Sequence, residues 1–399
     1  MISFNYFKKK LKDVSLSDMA AMIPMGCAAA LKPFNAKKNQ YVWLVCENEN
    51  EARDNGYHFY KYMRTEHPEQ PCIYAVSKKS KDWKKIRALG PAVDYGSIEH
   101  WVLYFTSKYN ISSQKGGKPN AALCSFFELN GVFKPRNVFL QHGVTKDKND
   151  WLMADRCRFD YFITAMASED KFVRKAFGYD PEIIKYTGFP RFDNLHDNKI
   201  VKNRIIIMPT WRKWLRSRSE RNEELGSDVK TSGFMESWMK LLNSDRMKEL
   251  IEKYNLEIIF YPHRNMQSHM SEFAVKNPKI TVASAETHDM QELMKSAEMM
   301  ITDYSSVYFD MFYMKKPVIF YQFDEEEFRS FHYEEGWFDY HNNPFGKSYK
   351  TAEEVLDALE ELAATGYKVS GEFEEAHKRE FQLYDRKNSE RVYEFLVKE

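Results

Sequence analysis

Short apolar, β-branched runs alternate with longer stretches of helical spacing from Tyr41 to about Tyr321. The pattern predicts one set of strands at 41–46, 72–76, 137–141, 160–164 and 183–187, and a second at 204–208, 257–261, 279–282, 299–302 and 317–321. These runs are apolar throughout instead of alternating, as a parallel sheet covered by helices on both faces requires. The chain is therefore read as α/β, with two doubly wound, Rossmann-like parallel sheets. A polar stretch at 193–202 separates the two sets and predicts a first domain over 1–200 and a second over 201–370. An arginine-dense segment at 211–230, just after the first strand of the second set, predicts a mobile loop. The tail 371–399 predicts one or two charged amphipathic helices, with Phe373, Phe381, Tyr384, Val392 and Phe395 as the buried stripe.

A length of 399 residues suits two domains, and 43% hydrophobic residues suffice for two cores. Lys plus Arg number 59 against 58 Asp plus Glu, so the net charge of +1 gives no reason to expect a nucleic-acid partner. The five cysteines are scattered without a Cys-x-x-Cys pair, which argues against a zinc site or a disulfide framework and fits a reducing cytosol. No run reaches the ~18 apolar residues that a spanning helix needs. At the start, Ile2, Phe4, Tyr6, Phe7, Leu11 and Val14 interleave with Lys8, Lys9, Lys10 and Lys12. That pattern reads either as an interfacial helix on an anionic membrane surface or as an ordinary basic arm.

Ligands of open α/β sheets bind beyond the carboxyl ends of the strands, so the residues that follow each strand carry the candidate chemistry. After 137–141 comes His142-Gly143, where the glycine frees the backbone to turn and the imidazole is either a general base or the cap of a strand turn. Lys146 nearby favours an anionic substrate or belongs to a solvated loop. Two strands of the second set end in Pro209-Thr210-Trp211-Arg212 and Pro262-His263-Arg264, which bring basic donors to the rim. A third, ending at Thr302, runs into Asp303-Tyr304-Ser305-Ser306 and a stretch with helical spacing from Val307 to Met314. A helix opening there would aim its free N–H groups at a diphosphate, with Ser305 and Ser306 adding hydroxyls. Asp310, one turn further on, either accepts from ribose hydroxyls or is simply exposed. Gly188-Phe189-Pro190-Arg191-Phe192-Asp193 either lines a ligand site or braces the link between domains.

No P-loop, Gly-x-Gly-x-x-Gly or His-Glu-x-x-His pattern is present, and Asp324 to Glu327 reads as a solvated acidic loop. No Asp-x-Asp pair ends a strand, so neither a metal nor a cofactor is implied. In their order and spacing, His142-Gly143, Pro209 to Arg212, Pro262-His263 and Thr302 to Ser306 followed by Asp310 resemble the CDP-glycerol glycerophosphotransferases of teichoic acid assembly, the TagB/TagF-like group. The block from Glu51 to His58 resembles the acceptor-side half of that family more loosely.

The resemblance implies a GT-B fold, with two Rossmann-like domains facing a cleft and the last helix crossing back to the first domain. It implies cytoplasmic work at the inner face of the plasma membrane, where the lipid-linked saccharide or polyol-phosphate acceptor resides. His142 and His263 carry over as the functional histidines, and Thr210, Arg212, Ser305, Ser306 and Asp310 as binders of the CDP-alcohol donor. Lys146, Arg191, Arg264 and Asp303 are further candidates for phosphate contacts. The expected reaction is attack of an acceptor hydroxyl on the β-phosphorus, releasing CMP, with His142 as base and His263 with Arg212 stabilising charge. The rival readings are a sugar transferase or epimerase using a UDP-sugar, and a membrane-docked scaffold without activity.

Overall fold

The computed structural model describes residues 15–215, 232–263, 266–267, 273–331 and 334–399. The basic segment 1–14, most of the 211–230 loop and Arg264 lie outside the described residues. The chain divides into two compact units, the first formed by 1–144, 149–193 and 385–399, the second by 145–148 and 194–384.

Among the described residues, the first unit holds seven strands: β1 (Trp43–Cys46), β2 (Cys72–Val76), β3 (Ala92–Asp94), β4 (Tyr109–Ser112), β5 (Asn137–Phe139), β6 (Tyr161–Thr164) and β7 (Ile184–Tyr186). Their order is β3-β2-β1-β4-β5-β6-β7, with every pair parallel. The described residues of the second unit hold six more: β8 (Arg204–Met208), β9 (Glu257–Phe260), β10 (Ile280–Val282), β11 (Met299–Thr302), β12 (Val318–Tyr321) and β13 (Gly346–Tyr349). These run β10-β9-β8-β11-β12-β13, again all parallel. In both sheets the strand order reverses once, between β1 and β4 and between β8 and β11, and such a switch point opens a crevice at the carboxyl ends.

Ile205, Ile206 and Ile207 show why the central strands read as unbroken apolar runs. All three are fully buried, although neighbours along a strand point to opposite faces, so each face of β8 is covered. Each such side chain contributes about 1.5–3 kcal/mol of transfer free energy, an upper figure for a compact unfolded state. Ile205 and Ile207 pack with Trp238, Leu241, Leu250 and Ile251 from the helices Gly233–Asn243 and Asp245–Tyr254.

Three strands were not expected from the pattern. β3 is only three residues long, β4 reads Tyr-Asn-Ile-Ser, and β13 reads Gly-Lys-Ser-Tyr at the edge of its sheet. β4 tolerates its asparagine because Asn110 Nδ2 donates to the Tyr104 carbonyl at 3.1 Å.

The unit boundaries also differ from the expected 200/201 and 370/371. Asn194 Nδ2 donates to Gln291 Oε1 at 2.7 Å and His196 Nε2 lies 2.9 Å from Tyr313 Oη, so the second unit begins at Asn194. The helix Gly371–Glu380 stays with that unit as well: Phe373 packs edge-on against Phe312 and Phe345, and His377 Nε2 lies 3.0 Å from the Tyr313 carbonyl. Only 385–399 belongs to the first unit. There Asp193 accepts from the backbone N–H groups of Asn388 and Ser389, each at 2.9 Å, at the start of the helix Asn388–Lys398. Gly188 (φ +79°) is required beside it, since a Cβ would sit 1.8 Å from Asn388 Oδ1.

The 24-residue helix Leu16–Asn39 packs on the helix Ile98–Thr106. Its other side leaves Leu16 81%, Ile23 72% and Phe34 82% exposed, spaced so that all three share one stripe. Among the described residues, no helix is long and apolar enough to cross a membrane.

Candidate active site

At the switch point of the second unit, four successive carboxyl edges lie side by side, three of them carrying residues singled out from the sequence. Thr210, Trp211 and Arg212 follow β8, His263 follows β9, Asp303 to Ser306 follow β11, and Asp324 lies just beyond β12. Asp303 Oδ1 accepts the Thr210 N–H at 2.8 Å, which ties the β8 turn to the β11 turn. The rings of His263 and Trp211 stand 6.3 Å apart, and the half-buried His263 carbonyl accepts the Met266 N–H at 2.7 Å.

Arg212 does not face a ligand as the sequence led us to expect. It is fully buried, with Nε and Nη2 bound to the two Asp324 oxygens at 2.7 and 3.0 Å and Nη1 donating to the Thr210 carbonyl at 2.7 Å. Asp303 Oδ2 is also 2.9 Å from Nη1. Tyr304, Phe234, Phe328 and Phe323 surround the guanidinium at 4.9–5.7 Å. Burial opposes its charge, but the Asp303 and Asp324 carboxylates more than offset this and raise its pKa above the ordinary value. Arg212 is therefore a brace beneath the rim, and Asp303, fully buried against it, is no surface contact for phosphate either. Asp324 is correspondingly part of this cluster instead of a solvated loop, and the acidic run continues into the helix Glu325–Phe331.

The β11 turn also departs from expectation. Its helix, Tyr308–Tyr313, is only six residues long and starts after the serines, so a long helix dipole is not what this edge offers. Ser305, Ser306 and Val307 instead form a turn that is partly open to solvent, flanked by the buried Asp303, Tyr304 and Tyr308. Ser305 Oγ accepts the Val307 N–H at 3.4 Å. Asp310 is buried within the short helix, which removes the reading of an exposed side chain.

In the first unit, His142 follows β5 and is exposed, with its ring 6.4 Å from that of Trp151 and nearly parallel to it. The turn is not made by the glycine: Gln141 holds the left-handed backbone, at φ +60°. A side chain there is strained, by the order of 1 kcal/mol, and is kept only where its surroundings fix it. Gln141 Nε2 donates to the Ile163 carbonyl at 2.6 Å and to Glu169 Oε1 at 3.0 Å. Although the His142 side chain is open to water, surrounding protein and then the Arg191 guanidinium lower its pKa from the usual 6.5. Its neutral, proton-accepting form is thus the one present near pH 7.

Two groups that the sequence reading did not single out lie at the carboxyl edge of β1. Asn55 is fully buried and donates to the Gln141 carbonyl at 2.7 Å. Glu47, directly after β1, accepts the N–H groups of Arg53, Asp54 and Tyr57 at 2.9, 3.0 and 2.6 Å and so holds the start of the helix Asn55–Glu66. Burial and then Asp54 push its pKa up to about 8, against the pull of the Tyr57 and Arg53 N–H groups. Asn55 falls inside the Glu51 to His58 block, the signal that pointed to this edge. Arg191 is buried here as a brace, and Lys146, expected at a phosphate, is buried in the second unit in an ion pair with Asp147.

Comparison with known proteins agrees with this architecture. A variant of the wall teichoic acid polymerase TagF superposes with a TM-score of 0.67 at 17% identity, covering 100% of this chain and 98% of that one. The UDP-GlcNAc 2-epimerase of Methanocaldococcus jannaschii superposes at 0.52 and 13% identity, covering 90% and 99%. These likenesses show the fold: a GT-B type α/β protein with two Rossmann-like parallel sheets. In sequence, the minor teichoic acid biosynthesis protein GgaB of Bacillus subtilis (strain 168) is 28% identical over 373 residues, 91% of this chain and 40% of its own length. The teichoic acid poly(glycerol phosphate) polymerase of the same strain is 23% identical over 85% of this chain and 46% of its length. The chain thus spans less than half the length of these two relatives. A family model described as CDP-glycerol:poly(glycerophosphate) glycerophosphotransferase matches residues 27–398, nearly the whole sequence, and the chain belongs to that family.

Proposed function

We propose that this protein transfers a polyol phosphate, glycerol phosphate first among them, from a CDP-alcohol to a hydroxyl of a membrane-linked teichoic-acid-like or capsular acceptor. The observation that carries the reading is the open turn Ser305–Ser306–Val307 at the switch point of the second sheet, in a chain of this family. Backbone N–H groups and hydroxyls of that turn, with Thr210 and His263 beside it, receive the diphosphate of the donor. The acceptor oxygen attacks the β-phosphorus while His142 takes its proton, and the bond from that phosphorus to the bridging oxygen breaks so that CMP leaves with both electrons. His263 stabilises charge on the transferring group, and Arg212 acts only through the loops it holds. In this reading turn donors and His263 offset the donor's charge without a cation.

The test is mass spectrometry of the products from CDP-glycerol, CDP-ribitol and a UDP-sugar with a lipid-linked acceptor, with and without a chelator. Acceptor extended by one or more glycerol phosphates, with CMP released in equal amount and at the same rate under chelation, is the expected result. Product from the UDP-sugar alone would overturn the reading.

The acceptor's lipid anchor places the reaction at the cytoplasmic face of the plasma membrane, and the stripe Leu16, Ile23 and Phe34 is the surface that meets it. Lys32, Lys37 and Lys38 on the same helix, and the lysines at 8–12, suit anionic lipid, each worth about 1 kcal/mol near such a leaflet. Co-sedimentation with anionic vesicles is expected and should be lost in Ile23→Glu/Phe34→Glu. Equal sedimentation of that double variant would reject the surface.

A further inference from the structure

Three turns at the carboxyl edge of the first sheet are tied together by two side chains. Asn55 Nδ2 donates to the Gln141 carbonyl at 2.7 Å, and Asn55 Oδ1 accepts the Arg191 backbone N–H at 3.0 Å. Arg191 then returns to the same turn one residue further on: its Nη1 donates to the His142 carbonyl at 2.8 Å and to Asp54 Oδ1 at 3.0 Å. The carbonyls on both sides of the His142 Cα are therefore held, one by each residue. Both side chains are buried, whereas the imidazole they flank is exposed. Gln141 needs such holding, because its left-handed backbone has no glycine to relieve it.

We propose that Asn55 and Arg191 are positioning residues that aim the His142 imidazole at the acceptor hydroxyl. The inference rests on the reading of His142 as the proton acceptor. Without either clamp, Gln141 relaxes toward an ordinary backbone conformation and the direction of the next side chain changes with it. Arg191 is thereby assigned to the acceptor-side base and not to a donor phosphate. A misdirected base lowers turnover without weakening donor binding, because the β8 and β11 turns themselves are unchanged.

The experiment is a double-mutant cycle in the full chain. Asn55→Ala, Arg191→Ala and Arg191→Lys are assayed alone and in the His142→Ala background, with thermal unfolding measured in parallel. Each alanine variant is expected to lower kcat by about 10²-fold with KM for CDP-glycerol within about twofold. Arg191→Lys should recover part of the loss, because an ammonium reaches the carbonyl but lacks the planar fork. In the His142→Ala background the same substitutions should change kcat less than about twofold, the signature of residues that act through one group. Losses that multiply with that of His142→Ala, or alanine variants that fold and turn over normally, would overturn the assignment. If Asn55→Ala does not fold, Arg191→Lys carries the same comparison. Near-normal turnover by His142→Ala itself would instead reject the reading of His142, so the two failures are distinguishable.

Discussion

His142→Ala is expected to lower kcat for transfer from CDP-glycerol by about 10²–10⁴-fold while leaving KM for the donor within about threefold. The imidazole is exposed at the carboxyl edge of β5, in the first unit, and on the proposed reading its loss removes a proton acceptor while the β8 and β11 turns of the second unit stay intact. The pH profile sharpens the expectation. Surrounding protein and Arg191 lower the His142 pKa below 6.5, and a base works only when deprotonated. Activity should therefore hold as pH falls from 8 through 6.5 and decline only below that, an acidic limb that His142→Ala flattens. An acidic limb above pH 7, or near-normal turnover by the variant, would remove His142 from the chemistry.

Arg212→Met should unfold the second unit at a markedly lower temperature. The substitution leaves the buried Asp303 and Asp324 carboxylates facing each other without their common cation, and breaking such a cluster costs about 3–5 kcal/mol. For a unit of this size that corresponds to a fall of roughly 10 °C in Tm, read by circular dichroism. Arg212→Lys should recover only a fraction, because a single ammonium cannot reproduce the paired bonds from Nε and Nη2 to Asp324. An unchanged Tm with donor affinity alone reduced would show instead that the guanidinium meets the substrate.

The cores of both sheets were legible because burial on two faces leaves an unbroken apolar run, and β2, β8 and β11 appear with the limits that the pattern set. β4 was not legible, since its asparagine and serine are stabilised by hydrogen bonds that no periodicity displays. Its absence hid the reversal between β1 and β4, so that only the Glu51 to His58 block marked the edge where Glu47 and Asn55 lie. The positions that meet at the rim of the second unit could be read from where its strands end, whereas the burial of their charged groups could not. Arg212 and Asp303 carry charge, which suggested ligand contacts, but they pair with each other, and the second partner of Arg212, Asp324, lies 112 residues beyond it, a pairing that follows only from sheet order. In the same way Gly143 marked the place of a turn whose left-handed residue is Gln141, a conformation stabilised by contacts from β6 and its following helix rather than by local preference.

The Arg212 cluster also bears on the order of folding. One guanidinium joins the turns after β8, β11 and the segment beyond β12, so it cannot close until those three parallel strands are in register. Closing contacts over such separations comes late in a parallel sheet. A chain arrested before that step would carry nearly all its helix and strand, yet have no finished rim. Lesions anywhere along these three strands would then produce the same species, rich in secondary structure but lacking the rim turns.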